Sequence, residues 1–252
     1  MNERRAECVL GVLYVLSAIL SVTSMVSLVT VWQYWTWALD VCISIDCGCI
    51  LYCINTFRTF MGGDVKLCQF GVYGLIPAIL FGLCLGGYHG YRCCISRNFE
   101  NPTQIQEDAT RNLKGVNQVA TVVVRRKGRK PYKHWIPVAF LAILICCLSL
   151  AHAIVMTDGY YKTCEQYRKR LIHLMGSTGR EAEVIHNRLA CGPIFDFMDY
   201  LQPDETYWRG DKQIDTGFAL RLSIVSTWLN CSVWTFICLL SVIMARRRLC
   251  CC

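Results

Sequence analysis

The chain has 252 residues, of which 54% are hydrophobic and 17% charged, with a net charge of +8 and 18 cysteines. Ordinary soluble domains carry about 25% charged residues, so the balance argues against a soluble enzyme and for lipid as the solvent. In a membrane setting the positive charge reads as topology and headgroup contact, and nucleic-acid binding is excluded.

Four stretches contain no Asp, Glu, Lys or Arg: 9–31, 67–91, 135–157 and 222–245, each 23 to 25 residues long. At about 1.5 Å per residue, each can cross a hydrocarbon core of about 30 Å. The chain is therefore predicted to be an all-α integral membrane protein, a four-transmembrane-helix bundle filling one domain over 1–252. The spans are placed at about 9–31, 67–91, 135–157 and 219–245. The first is not a cleaved signal peptide, because its apolar run exceeds the usual h-region of about 7 to 15 residues.

The loop 32–66 is rich in cysteine. A fifth span here is rejected, since Asp40 and Asp46 leave only 47–57 uncharged. The alternation of Val41, Ile43 and Ile45, then Ile50 and Tyr52, predicts strands and a short hairpin instead.

In the second span Gly74, Ala78, Gly82, Gly86 and Gly90 recur every four residues, a ladder on one helix face that lets another backbone approach closely. Ser17, Ser21, Ser24 and Ser27 of the first span are the expected opposing face. Pro77 predicts a kink. Asn230 reads as interhelical glue in the last span. His89 and His152 lie near span ends, and Arg221 is placed to snorkel outward.

The segment 92–134 holds ten basic and three acidic residues, whereas 32–66 holds two and three, and 158–216 eight and ten. The positive-inside rule puts both termini and 92–134 in the cytoplasm, and the other two loops outside or in a lumen. Arg125, Arg126, Lys127, Arg129 and Lys130 precede the third span and are predicted to contact anionic lipid.

That orientation sorts the cysteines. Cys42, Cys47, Cys49, Cys53, Cys68, Cys164 and Cys191 face an oxidising space and are disulfide candidates. Zinc at Cys47, Cys49 and Cys53 is disfavoured by the spacing. Seven is odd, so one of them has no partner within the group. Cys164 with Cys191 is the expected pair of the second loop. Cys8, Cys93, Cys94, Cys250, Cys251 and Cys252 lie at the cytoplasmic edge, where S-palmitoylation occurs; Cys93, Cys94 and the three terminal cysteines are the lipidation candidates. No cofactor or metal site is predicted.

In the second outer loop, 165–175 and 180–189 read as short amphipathic helices separated by Gly176, Ser177, Thr178 and Gly179. Phe195, Phe197, Met198, Tyr200, Tyr207 and Trp208 are either this loop's own core or a partner-binding surface.

Several strings resemble the transmembrane protein 179 family, a group of four-span membrane proteins: Cys49-Ile50-Leu51-Tyr52, Cys68-Gln69-Phe70, the Ala151-flanked third span, Thr163-Cys164-Glu165, and Phe218, Trp228 and Trp234 of the last span. The resemblance implies a four-helix membrane protein and no activity. Trp35, Trp37, Cys49 and Cys53 faintly resemble claudin-like tetraspans, against which the larger second outer loop argues. The leading functional expectation is a non-enzymatic accessory, trafficking or modulatory partner of another membrane protein or of itself. The alternative is an oligomeric channel-forming subunit of connexin- or innexin-like topology.

Overall fold

The computed structural model describes residues 3–39, 46–56, 60–94, 132–174, 176, 178–196 and 214–249. In chain order these form α1 (Glu3–Leu39), β1 (Cys49–Asn55), β2 (Phe60–Gly63), α2 (Val65–Tyr73), α3 (Ile76–Cys94), α4 (Tyr132–Leu174), α5 (Arg180–Arg188), α6 (Cys191–Asp196) and α7 (Thr216–Leu249). Among the described residues, four helical segments are long and apolar enough to cross a membrane: Arg5–Thr36, Val65–Cys94, Ile136–His173 and Thr216–Arg246. Apart from Trp135, which α4 contains, they include the four charge-free stretches of the sequence and run beyond them.

The helices pack side by side in the order α3, α1, α7, α4. The distribution of polarity suits a lipid solvent. Val12, Phe140 and Phe236 turn outward with 60–68% exposure, while Ser17, Ser21, Ser24, His89, His152, Ser223, Asn230 and Ser241 are buried between helices. In water this arrangement would leave a large apolar surface wet; in hydrocarbon the same surface costs nothing and the polar groups find one another.

The second span is two helices. The chain breaks at Gly74 and Leu75, just ahead of Pro77 at the second position of α3, which lacks the N–H that an unbroken helix needs. At the break His152 Nε2 donates to the Gly71 carbonyl at 2.8 Å, taking up a backbone acceptor that has no water to turn to. Because a carbonyl can only accept, this bond fixes the Nε2–H tautomer of His152.

The expected helix at 165–175 is not separate. It continues α4, whose 43 residues extend about 65 Å, roughly twice the thickness of a hydrocarbon core. Nothing between Thr157 and Leu174 breaks helix geometry, and the ion pairs Asp158–Lys162 and Glu165–Lys169, both spaced i,i+4, support the extension at 2.9 and 2.7 Å. The hairpin is β1 with β2, joined antiparallel with Cys49 opposite Gly63, Ile54 opposite Met61 and Asn55 opposite Phe60. Its second strand, Phe60–Gly63, was not expected from the alternation, and the 41–45 segment lies outside the described residues.

Candidate functional site

The hairpin, the projecting half of α4 and α6 gather at one end of the bundle around a common core, with α5 packed on α4. Leu28, Cys49, Leu51, Cys68, Tyr167, Ile194 and Phe195 are all fully buried there. Phe195 therefore belongs to the loop's own core, with its ring 5.2 Å from that of Tyr160.

The contact between β1 and α4 has a specific cause. β1 bulges between Cys49 and Ile54, and Tyr52 sits there at φ 59°, a conformation costly for a non-glycine residue. A bulge leaves backbone groups without ladder partners. Thr163 of α4 supplies them: its hydroxyl donates to Ile50 O at 2.9 Å and accepts from Cys53 N at 3.1 Å. The Tyr52 ring then lies on Gly159, where a Cβ would come within 2.8 Å of it. Lys162 Nζ stands 5.0 Å from the ring centroid. Burial first, and then the hydrogen-bonded Asp158 carboxylate, push the Tyr52 hydroxyl up to about 12. Thr163→Val keeps shape but strands both bulge groups, and is expected to destabilise the module by about 1–3 kcal/mol, with Thr163→Ser retaining most of the stability. Thermal unfolding in detergent monitored by tryptophan fluorescence checks this.

Covalent staples complete the module. Cys49 pairs with Cys68 and Cys164 with Cys191, with Cα separations of 5.6 Å in both cases. The second is the pairing expected from loop closure. Cys47 is oxidised as well. Cys53, a disulfide candidate by sequence, is instead a free buried thiol. Its backbone N–H is held by Thr163 and its sulfur lies against Ile50 O at 3.3 Å. Burial pushes this thiol up to about 12. As the thiolate is the reactive species, Cys53 is expected to resist iodoacetamide at mildly alkaline pH until the protein is denatured, whereas exposed Cys94, in protein first treated with hydroxylamine to remove any thioester, is modified at once. Peptide mass spectrometry of the alkylated protein reads both sites.

Two further attachments fix α6. Arg168 of α4 donates to the Leu189 carbonyl ahead of it. Gly192 and Gly217 let α6 and α7 touch backbone to backbone, and the Arg221 guanidinium occupies the place a side chain at Gly192 would need. Arg221, at the start of the last apolar helix, thus lies against α6. Trp35 Nε1 donates to Thr216 Oγ1 at 3.0 Å, and Trp32 Nε1 to Gly48 O at 3.1 Å, tying α1 to the same assembly. Among the described residues no group of three or more His, Cys, Asp or Glu side chains is arranged to hold a metal.

Within the bundle, the serine stripe of α1 meets α7 and not the glycine ladder. Ser17 donates to Asn230 Oδ1 at 2.7 Å, and Ser24 and Ser223 hydroxyls are 2.9 Å apart. The ladder divides. Gly82 and Gly86 lie on α1, where a Cβ would come 3.0 Å from Tyr14 O and 3.3 Å from Tyr14 Cβ; Gly90 has open space on its Cβ side. Ala78 is buried among α1, α4 and α7 residues, and Gly74 falls in the helix break. The reason is helix rotation, which four-residue spacing alone does not specify once a break intervenes. Ser17→Ala is expected to cost about 0.6–1.7 kcal/mol, the range for hydrogen bonds inside membranes. Adding Asn230→Leu removes the stranded carboxamide, so the double variant should lose less than the sum of the single losses in a double-mutant cycle of detergent unfolding.

At the opposite end, α1 and α3 are joined by Cys8–Cys93, with Cα atoms 5.4 Å apart, and by an ion pair between Arg92 and buried Glu7 at 3.0 Å. Cys93, a lipidation candidate, has no thiol to acylate in this state; Cys94 beside it is free and exposed. Cys42, Cys250, Cys251 and Cys252, the basic cluster Arg125, Arg126, Lys127, Arg129 and Lys130, and Phe197, Met198, Tyr200, Tyr207 and Trp208 lie outside the described residues.

No family model, curated protein or solved structure matches the chain.

Proposed function

We propose that this chain is a non-enzymatic, multi-pass accessory protein that binds and modulates or escorts another membrane protein. The hairpin module faces outward or into a lumen and is the docking platform; both termini and the 92–134 segment lie in the cytosol. Cys94 and the terminal cysteines are acylated in this reading, and the basic cluster before α4 rests on anionic lipid.

The observation that carries the reading is the mounting of the module. Two disulfides, a bulge held by Thr163 and an α4 extension that outruns the bilayer make a rigid projection, and rigidity lowers the ordering cost of binding. An oxidising compartment for this end agrees with its disulfides.

The test is mild-detergent affinity purification of the full chain from its native tissue, alongside a Cys191→Ser variant that frees α6. The expected result is a different membrane protein recovered in stoichiometric amount with the native chain and lost with the variant. Recovery of a homo-oligomer alone, conducting ions in planar bilayers, would overturn the accessory reading in favour of a channel-forming subunit.

A further inference from the structure

We propose that Cys8 and Cys93 are a reversible redox staple that locks α1 to α3 at the cytosolic end only when oxidised. The two cysteines are 85 residues apart in sequence, yet the α1–α3 packing brings their Cα atoms to 5.4 Å. Neighbouring contacts place them independently of the bond. Arg92 grips Glu7 at 3.0 Å one residue before each cysteine, the Tyr14 and His89 rings stack at 5.7 Å, and a Cβ on Gly11 would lie 3.4 Å from Gly90 N. The site is thus preformed, and the reduced pair keeps its place without the bond.

The inference rests on the orientation proposed above. In that orientation the other two described disulfides face an oxidising space, while this one is on the reducing side, with Arg4 and Arg5 shortly before Cys8 in sequence and Arg92, the first residue of the basic 92–134 segment, directly before Cys93. Cytosolic disulfides are mostly transient and redox-sensing. Opening follows thiol–disulfide exchange with a small-molecule thiol such as glutathione. One glutathione thiolate attacks a protein sulfur, forming a mixed disulfide and releasing the other cysteine as a thiolate that takes up a proton. A second glutathione attacks the mixed disulfide, leaving glutathione disulfide and two protein thiols. Closure is the reverse, with glutathione disulfide as oxidant. Since α3 runs directly into the basic segment, the staple sets how firmly the start of that segment is held to α1. Reduction also frees the Cys93 thiol beside exposed Cys94, so that oxidation and acylation compete for Cys93.

The test is differential alkylation of the full chain in intact cells, before and after the thiol oxidant diamide, read by peptide mass spectrometry. The expected result is that Cys8 and Cys93 are mostly reduced in untreated cells and become linked to each other under diamide, while Cys49–Cys68 and Cys164–Cys191 stay oxidised throughout. Cys94→Ser should leave the response unchanged and Cys8→Ser should abolish the linked species. A Cys8–Cys93 bond that is as complete before treatment as the other two, or that never forms under diamide, overturns the proposal; so does a response that needs Cys94. Antibody access to an N-terminal epitope only after permeabilisation tests the orientation separately, so failure of the staple and failure of the orientation are distinguishable.

Discussion

Gly62→Ala is expected to detach the hairpin from its own first strand. A Cβ at Gly62 would collide with the Cys47 carbonyl oxygen and lie 2.9 Å from that of Cys49; at Gly63 it would collide with the Leu51 carbonyl oxygen. These are backbone atoms held by the Cys49–Cys68 staple and by the Thr163 bonds, so they cannot move aside as a side-chain end would. The loss should reach the upper part of the overpacking range, about 3 kcal/mol. Thermal unfolding in detergent should show a clear fall in Tm, and limited proteolysis should cut the 46–63 region. Ile54→Ala, at an exposed position of the same strand, is the control and should change Tm little. An unchanged Tm for Gly62→Ala would mean that β2 does not lie where the register puts it.

The second large effect is expected in the membrane. Gly82→Leu inserts a side chain where a Cβ alone would already be 3.0 Å from Tyr14 O and 3.4 Å from Ala18 Cβ, so α3 must retreat from α1. Much of the close packing that replaces the hydrophobic effect in lipid would go with it. A loss of about 3 kcal/mol is expected. Gly87→Leu, with nothing within 4 Å of its Cβ, should change stability by less than about 0.5 kcal/mol. The contrast also separates two uses of the glycine-rich face. If Gly87→Leu lowers the size of the detergent-solubilised complex while leaving unfolding unchanged, that side of α3 is an interface between chains; if only Gly82→Leu disturbs the protein, the face serves the bundle.

The residues that escaped a reading from sequence share one property. Thr163 and Gly159 look like ordinary helix positions until a bulge more than 100 residues away in sequence rests on them. Glu7 and Arg92 look like flanking charges, and Cys8 and Cys93 like separate edge cysteines, until α1 and α3 lie against each other. The serines of α1 showed a polar face but not which neighbour it met. Local patterns report a residue's own helix face or strand, and long-range partners depend on how faces are rotated toward one another.

What the sequence by itself determined is the set of four long apolar helices. Four uncharged runs of 23 to 25 residues are legible because crossing hydrocarbon is a constraint on length and charge, both of which are local. The small hairpin module was legible in part, since strand alternation and a cysteine pair closing a loop are also short-range signals. Only the tertiary structure decided that the second span is broken, that α4 projects as one helix, that Cys53 stays a thiol, and that Cys8 meets Cys93. Each of those outcomes is set by which backbone atoms and side chains remain unsatisfied after the helices pack, a quantity that belongs to the assembled fold and to no single segment of it.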